Sequence, residues 1–259
     1  MNKNNFFNIS REVKLIMFAT LITNIGNGMY TIAVSKLVYD KTNSAMAFGG
    51  VMILQYVVMF LVQFLSGSIV DRNNPKSISV ICDTISGFLV LSSGFMVLFT
   101  NIGLEYLFVS IIFLNIINPF FSSANFALLP AIVEDKSKLL KINSMVTTLF
   151  QAGQLIGCAL VAPVIYFFNP QTALIIDGIT FFLSAIFVGI AKIDNVDIKN
   201  DTTYSKNAGS NLINDWKEIA RVMKKEKSFA AHLFMASGDY ISINLFNLML
   251  VPMVTHWYN

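Results

Sequence analysis

Seven stretches of this chain are each long and apolar enough to cross a lipid bilayer: residues 13–38, 47–70, 78–99, 105–128, 142–168, 172–191 and 229–255. A spanning helix needs about 20 mainly apolar residues. Lipid offers the backbone no water to bond, so each stretch must satisfy its own amides, as a helix does. The expected fold is therefore all-α, a polytopic membrane helical bundle. Composition agrees: 13% of residues are charged, against about 25% in soluble domains. The first 14 residues are polar and lead straight into the first apolar run. No small-residue cleavage site follows, so this run reads as a first membrane helix and not a signal peptide.

The first six stretches are joined by short connections, which favours antiparallel neighbours. Cytoplasmic loops carry an excess of Lys and Arg. With the N-terminus inside, sixteen of the eighteen basic residues fall inside, and Lys36 and Lys41 fall outside. The expected location is the cell membrane, multi-pass, with a cytoplasmic N-terminus.

Three regions are expected: a six-helix bundle over 1–191, a cytoplasmic central loop over 192–227, and the first helix of a second bundle over 228–259. In the loop, Leu212, Ile213, Trp216, Ile219, Ala220 and Met223 recur at helical spacing. Lys217, Arg221, Lys224 and Lys225 lie between them, the pattern of an amphipathic helix on a membrane surface. The seventh stretch can be laid on the first at an offset of 212, pairing Gly26 with Gly238 and Asn27 with Asp239. Transporters are often built from such repeats. The chain reads as one complete half plus the opening helix of another, so a missing C-terminal half or a second copy is an expected partner.

Polar residues inside the apolar runs mark faces turned to protein or to a watery cavity. The first run, with "TNIGNGMYT" at its centre, carries Thr20, Asn24, Asn27, Thr31 and Ser35 at steps of three or four. The second has Gln55, Gln63 and Ser66, the fourth Asn115, Asn118, Ser122 and Asn125, and the fifth Asn143, Thr147, Gln151 and Gln154. Such groups serve either as interhelical glue or as cavity lining. Three acids also fall in the interior of the runs. Asp83 is read as a partner for Arg72 or Lys76, and Asp177 as a structural hydrogen-bonding group. Asp239, with His232 seven residues earlier, is the candidate for proton coupling, because a carrier driven by protons needs a protonatable carboxylate.

After the second run comes "GSIVDRNNPK", with Gly67, Asp71, Arg72 and Lys76. This resembles the cytoplasmic signature between helices 2 and 3 of the major facilitator superfamily, with Asn74 and Pro75 departing from the usual pattern. "KTNSAMAFGGV" at 41–51, "FFSSANFALLPAIVEDKSKLLKINSM" at 120–145 and "ALIIDGITFFLSA" at 173–185 are similar to the branch of macrolide efflux proteins and siderophore exporters. Relatives often carry an acid at Asn27 and a base near Asn115; here both are amides. The family's helix 5 glycines have counterparts in Gly153 and Gly157, but Cys158 follows them and the proline comes later, at Pro163.

The resemblance implies a central cavity lined by helices 1 and 4, with 2 and 5 beside them. Its candidate lining is Thr20, Asn24, Asn27, Thr31, Asn115, Asn118, Ser122, Gln151 and Gln154. The turn of Gly67, Asp71, Arg72 and Lys76 would be the conformational switch. It further implies a secondary active transporter exporting amphipathic, macrolide-like molecules by proton antiport and alternating access. An uptake symporter of the same fold, or a fragment without transport, are the alternatives. No phosphate loop, metal-spaced histidine pair or nucleophile triad occurs. No enzyme activity, cofactor, metal or nucleic-acid partner is expected, and the partners are a small amphipathic substrate, protons and the lipid bilayer.

Overall fold

A computed structural model describes residues 9–42, 45–100, 103–133 and 136–192, together with 217, 221, 223–228, 231, 235 and 238. The chain divides into two compact units, Met1–Ile198 and Lys199–Asn259. The first contains six α-helices: α1 (Arg11–Thr42), α2 (Ala45–Val70), α3 (Pro75–Phe99), α4 (Gly103–Ile132), α5 (Lys136–Phe167) and α6 (Pro170–Ile190). All six are long and apolar enough to cross a membrane, and no strand occurs among the described residues. The chain is a multi-pass membrane helical bundle.

The helices outrun the apolar stretches, most clearly at α5, which begins at Lys136 where the apolar run begins at 142. Apolarity marks the lipid-embedded part; the hydrogen-bonded helix continues beyond it into the polar interface. Local chemistry sets two of the starts. The Ser10 hydroxyl accepts from the Val13 amide at 3.4 Å at the head of α1. Asn74 caps α3, its side chain accepting from the amides of Lys76 (2.9 Å) and Ser77 (3.4 Å), with Pro75 as first helical residue. Asn at the cap satisfies an orphan donor, and Pro next to it loses no bond because that amide has no helical partner.

α1 packs between α5 and α6; α6 also packs on α3, α3 on α4, and α4 on α2. α1 meets α2 and α4 only lightly. The helices thus run in the order α5–α1–α6–α3–α4–α2. At one end, Val13, Ile16 and Ala19 of α1 meet Leu128 and Leu129 of α4, Ile142 of α5 and Val188 of α6 in one apolar cluster.

Backbone approaches closely where α1 crosses its neighbours. A Cβ on Gly157 would strike the Ile25 carbonyl oxygen, and one on Gly28 would strike that of Gln154. On Gly153 it would come to 2.8 Å from the Leu21 carbonyl oxygen. Lipid supplies no hydrophobic force between helices, so small residues that admit close packing replace it.

In the second unit, Lys217, Arg221, Met223, Lys224 and Lys225 are helical and exposed, and Glu226 interrupts the helix before Lys227 and Ser228. Leu212, Ile213, Trp216, Ile219 and Ala220 lie outside the described residues. So does the seventh stretch, with His232 and Asp239, apart from Ala231, Met235 and Gly238.

Candidate functional site

The polar stripe of α1 winds from a buried position to open ones. Asn24 is buried, Thr20 and Asn27 are half-buried, and Thr31 is exposed. Most of these groups bond to their own helix. Asn24 donates to the Thr20 carbonyl (2.7 Å), Thr31 to that of Asn27 (2.9 Å) and Ser35 to that of Thr31 (2.7 Å). Bonding back to the i−4 carbonyl is what a hydroxyl does in a helix when no other partner reaches it. The Asn27 side-chain amide makes no hydrogen bond among the described residues. Exposed polar groups therefore remain on α1 without tying it to a neighbour, as the lining of a wet cavity requires.

α5 presents Asn143, Thr147 and Gln151 on an exposed face at steps of four, and Gln154 is half-buried. The crossing of α1 and α5 brings Asn24 against Gly153, and Gly28 against the turn of Gln154 and Cys158. The Cys158 thiol donates to the Gly28 carbonyl across 3.6 Å. In α4, Asn115 and Ser122 are half-buried and Asn118 is exposed; the Asn115 amide donates to the Ile111 carbonyl at 2.8 Å. The structure thus gathers the candidates into two groups, Thr20, Asn24, Asn27, Thr31, Gln151 and Gln154 on α1/α5, and Asn115, Asn118 and Ser122 on α4. α1 and α4 touch lightly, so the groups are not bonded together. Two further members of the stripes tie helices instead: Asn125 accepts from the Ser79 hydroxyl of α3 (3.3 Å), and Ser66 shares a hydrogen bond with Ser123 (3.1 Å).

The turn between α2 and α3 is built from backbone bonds. The Asp71 amide donates to the Gly67 carbonyl at 2.9 Å, and that of Asn73 to Val70 at 3.1 Å. Asp71 is exposed and Arg72 half-buried. Among the described residues nothing comes within 4 Å of the place a Cβ would take on Gly67. Lys76 reaches farthest: its ammonium donates to the Ala191 carbonyl, 2.7 Å away, just past the end of α6. A cation there satisfies an orphan carbonyl and suits the negative end of the helix dipole. The turn is thereby fastened to the last residue before Lys192.

That contact corrects the expectation for Asp83. The carboxyl is fully buried between α3 and α6, accepts from the Ser184 hydroxyl at 2.6 Å, and pairs with neither Arg72 nor Lys76. It lies two turns along α3 from Lys76, about 10 Å, and the Lys76 ammonium is already held by α6. Asp177 is also fully buried; the Thr180 hydroxyl approaches its Oδ1 at 3.4 Å and donates to its carbonyl at 2.8 Å.

A second polar layer, which the amides of the apolar runs do not mark, runs through α6, α3 and α4: with Thr23 of α1, Ser79, Ser86, Ser93, Ser110, Thr180 and Ser184 are all buried. Ser93 donates to Ser110 at 2.7 Å, and Ser92 shares a hydrogen bond with Tyr106 at 2.8 Å. The signal was present. Asp177, Thr180 and Ser184 share one face of α6, as Asp83, Ser86 and Ser93 share one of α3. Among the described residues no cluster of three or more His, Cys, Asp or Glu side chains is placed to hold a metal.

A family model described as Major Facilitator Superfamily matches residues 16–257 of the chain. No curated protein matches it.

Proposed function

The chain belongs to the major facilitator superfamily, a family of membrane transporters, and on that premise we propose that it exports amphipathic small molecules of macrolide-like chemistry by proton antiport. The observation that carries this reading is the α1 stripe. Its hydroxyls bond back to their own helix, and Asn27 and Thr31 stay available on a face that the bundle does not close. Polar residues inside a membrane are costly unless they face protein or water, and here they fit water and substrate. Thr20, Asn24, Asn27 and Thr31, with Gln151 and Gln154, form one wall of the substrate cavity, and Asn115, Asn118 and Ser122 form another. The many Phe and Met side chains suit a pliant, weakly selective pocket.

Transport proceeds by rocking around this cavity. The Gly67–Lys76 turn is the switch, and its Lys76 tie to the end of α6 transmits movement to the segment that follows. The N-terminus lies in the cytoplasm, and the protein acts in the cell membrane. Asp239 remains the candidate for coupling within the second unit.

Everted vesicles containing the full chain test the reading. Acidified inside, they accumulate a labelled macrolide or hydrophobic cation, and Asn27→Leu lowers the initial rate about tenfold, equivalent to about 1.4 kcal/mol. Loss of labelled substrate from preloaded vesicles under the same gradient would indicate uptake instead. No movement in either direction, with the protein shown to be inserted, sinks the transporter reading.

A further inference from the structure

The face of α6 turned to α1 holds an arrangement that the cavity does not use. Asp177, Thr180 and Ser184 follow one another along α6 at steps of three and four, all buried. From α1 come Thr23, Gly26 and Tyr30 at the same steps. Gly26 lies against the Asp177 carboxyl and the Thr180 hydroxyl, so close that a Cβ would strike both Asp177 Oδ1 and Thr180 Oγ1. The carboxyl therefore lodges over bare backbone, with Thr23 about one turn to one side and Tyr30 about one turn to the other.

Three side-chain oxygens here are buried and lack a hydrogen-bond partner among the described residues: Thr23 Oγ1, the Tyr30 hydroxyl and Asp177 Oδ2. The Tyr30 ring is partly open while its hydroxyl is enclosed. Thr180 donates to its own turn. Among the described residues no Lys, Arg or His pairs with Asp177. From α3, Leu91 lies against Gly178 and Gly87 lies against Phe182. From α5 no titratable side chain reaches the carboxyl, and from α1 the one that faces it is Tyr30. Asp83, the other buried acid, also has one oxygen without a partner among the described residues, Oδ1, but it sits in a separate contact two turns along α6, where its Oδ2 accepts from the Ser184 hydroxyl.

An isolated carboxylate buried without a cation is strongly disfavoured. A carboxyl with one open oxygen, about a turn of α1 from each of two open hydroxyls, is placed to exist in two forms. None of the three oxygens bonds to another in this arrangement, so a small shift of α1 on α6 completes either form: with a proton on Oδ2 the O–H finds a hydroxyl oxygen to accept it, and without it the Tyr30 hydroxyl finds a carboxylate.

We propose that Asp177 is a proton-binding site of this protein, set at the α1/α6 contact and separate from the polar cavity, with Tyr30 as its positioning residue. The Oδ2–H bond breaks when α1 shifts off α6 and admits water, which takes the proton; reclosure follows when a proton returns. The use of that proton in transport rests on the function proposed above, but the site itself does not.

Infrared difference spectroscopy of the purified full chain in detergent, titrated from acid to alkaline pH, reads the site directly. The carbonyl stretch of a protonated carboxylic acid is lost as pH rises. Asp177→Asn removes one carboxyl from that change, whereas Asp83→Asn leaves that component in place. Tyr30→Phe keeps the band and moves the pH at which it disappears. Should Asp177→Asn not fold, Tyr30→Phe carries the test, and an unmoved midpoint overturns the proposal. So does a spectrum that Asp177→Asn leaves unchanged, a band that no pH alters, or one that vanishes with added sodium at fixed pH, which would mark a cation site. Titration at Asp177 in a protein that moves no substrate would uphold the site and remove the transporter reading alone.

Discussion

The α1/α5 and α3/α4 interfaces join helices by opposite means. Between α1 and α5 the side chains are missing. Gly28, Gly153 and Gly157 bring backbone to backbone, with the Gly157 Cα 3.1 Å from the position a Cβ would take on Gly28. Between α3 and α4 the side chains do the joining, through Ser93 with Ser110, Ser92 with Tyr106 and Ser79 with Asn125. The first contact has no slack, because a carbonyl oxygen can retreat only by moving its helix. The Ser93–Ser110 pair has a fallback on each side, because the single Ser93 O–H can turn instead to the Leu89 carbonyl (2.6 Å) and Ser110 donates to that of Leu107 (2.8 Å). One interface is intolerant of a single methyl group, and the other tolerates the loss of a hydroxyl.

That contrast can be broken by measurement. Unfolding in mixed detergent micelles, followed by circular dichroism, gives the comparison in one assay. Gly157→Ala is expected to cost the most, about 3 kcal/mol, the upper end of overpacking, because its Cβ meets the Ile25 carbonyl. Gly28→Ala follows at about 2 kcal/mol on the same grounds. Ser93→Ala is expected to cost about 0.6 kcal/mol, the usual worth of one interhelical hydrogen bond in a membrane protein. Lys76→Met should cost about 0.5 kcal/mol, as for a cation at a helix C-terminus, and should speed proteolysis near Lys192 by loosening the end of α6. Gly189→Ala, with nothing within 4 Å of its added Cβ among the described residues, should stay within about 0.5 kcal/mol of the parent. If Ser93→Ala proved costlier than Gly157→Ala, the division between the two interfaces would fall.

Much of this was legible in the residues. The six membrane helices follow from the length of the apolar runs. Gly153 and Gly157 were visible as counterparts of the family's helix 5 glycines, although the helix they would meet was not. Asn74 and Pro75, which weaken the resemblance at the α2–α3 turn, have their own local logic as the cap and first residue of α3. Sequence alone left amides such as Asn24, Asn27 and Asn125 divided between glue and lining. In the structure Asn125 bonds across to Ser79, Asn24 bonds back to its own helix at Thr20, and the Asn27 side-chain amide bonds to nothing among the described residues. The buried serines of α3 and α4 were overlooked because serine is too small and too frequent to mark a face.

The sequence by itself determined that this chain is a bundle of membrane helices, where the apolar part of each lies, and what family its loop motif resembles. Only the tertiary structure decided how each helix is turned. It placed Asp83 against Ser184, Asp177 over Gly26, and Lys76 on a carbonyl 115 residues away. The physical reason lies in the solvent. In water, a stripe of apolar residues tells a helix which way to face; in lipid every face is apolar enough, and rotation is settled by close packing and by the few polar groups that find each other.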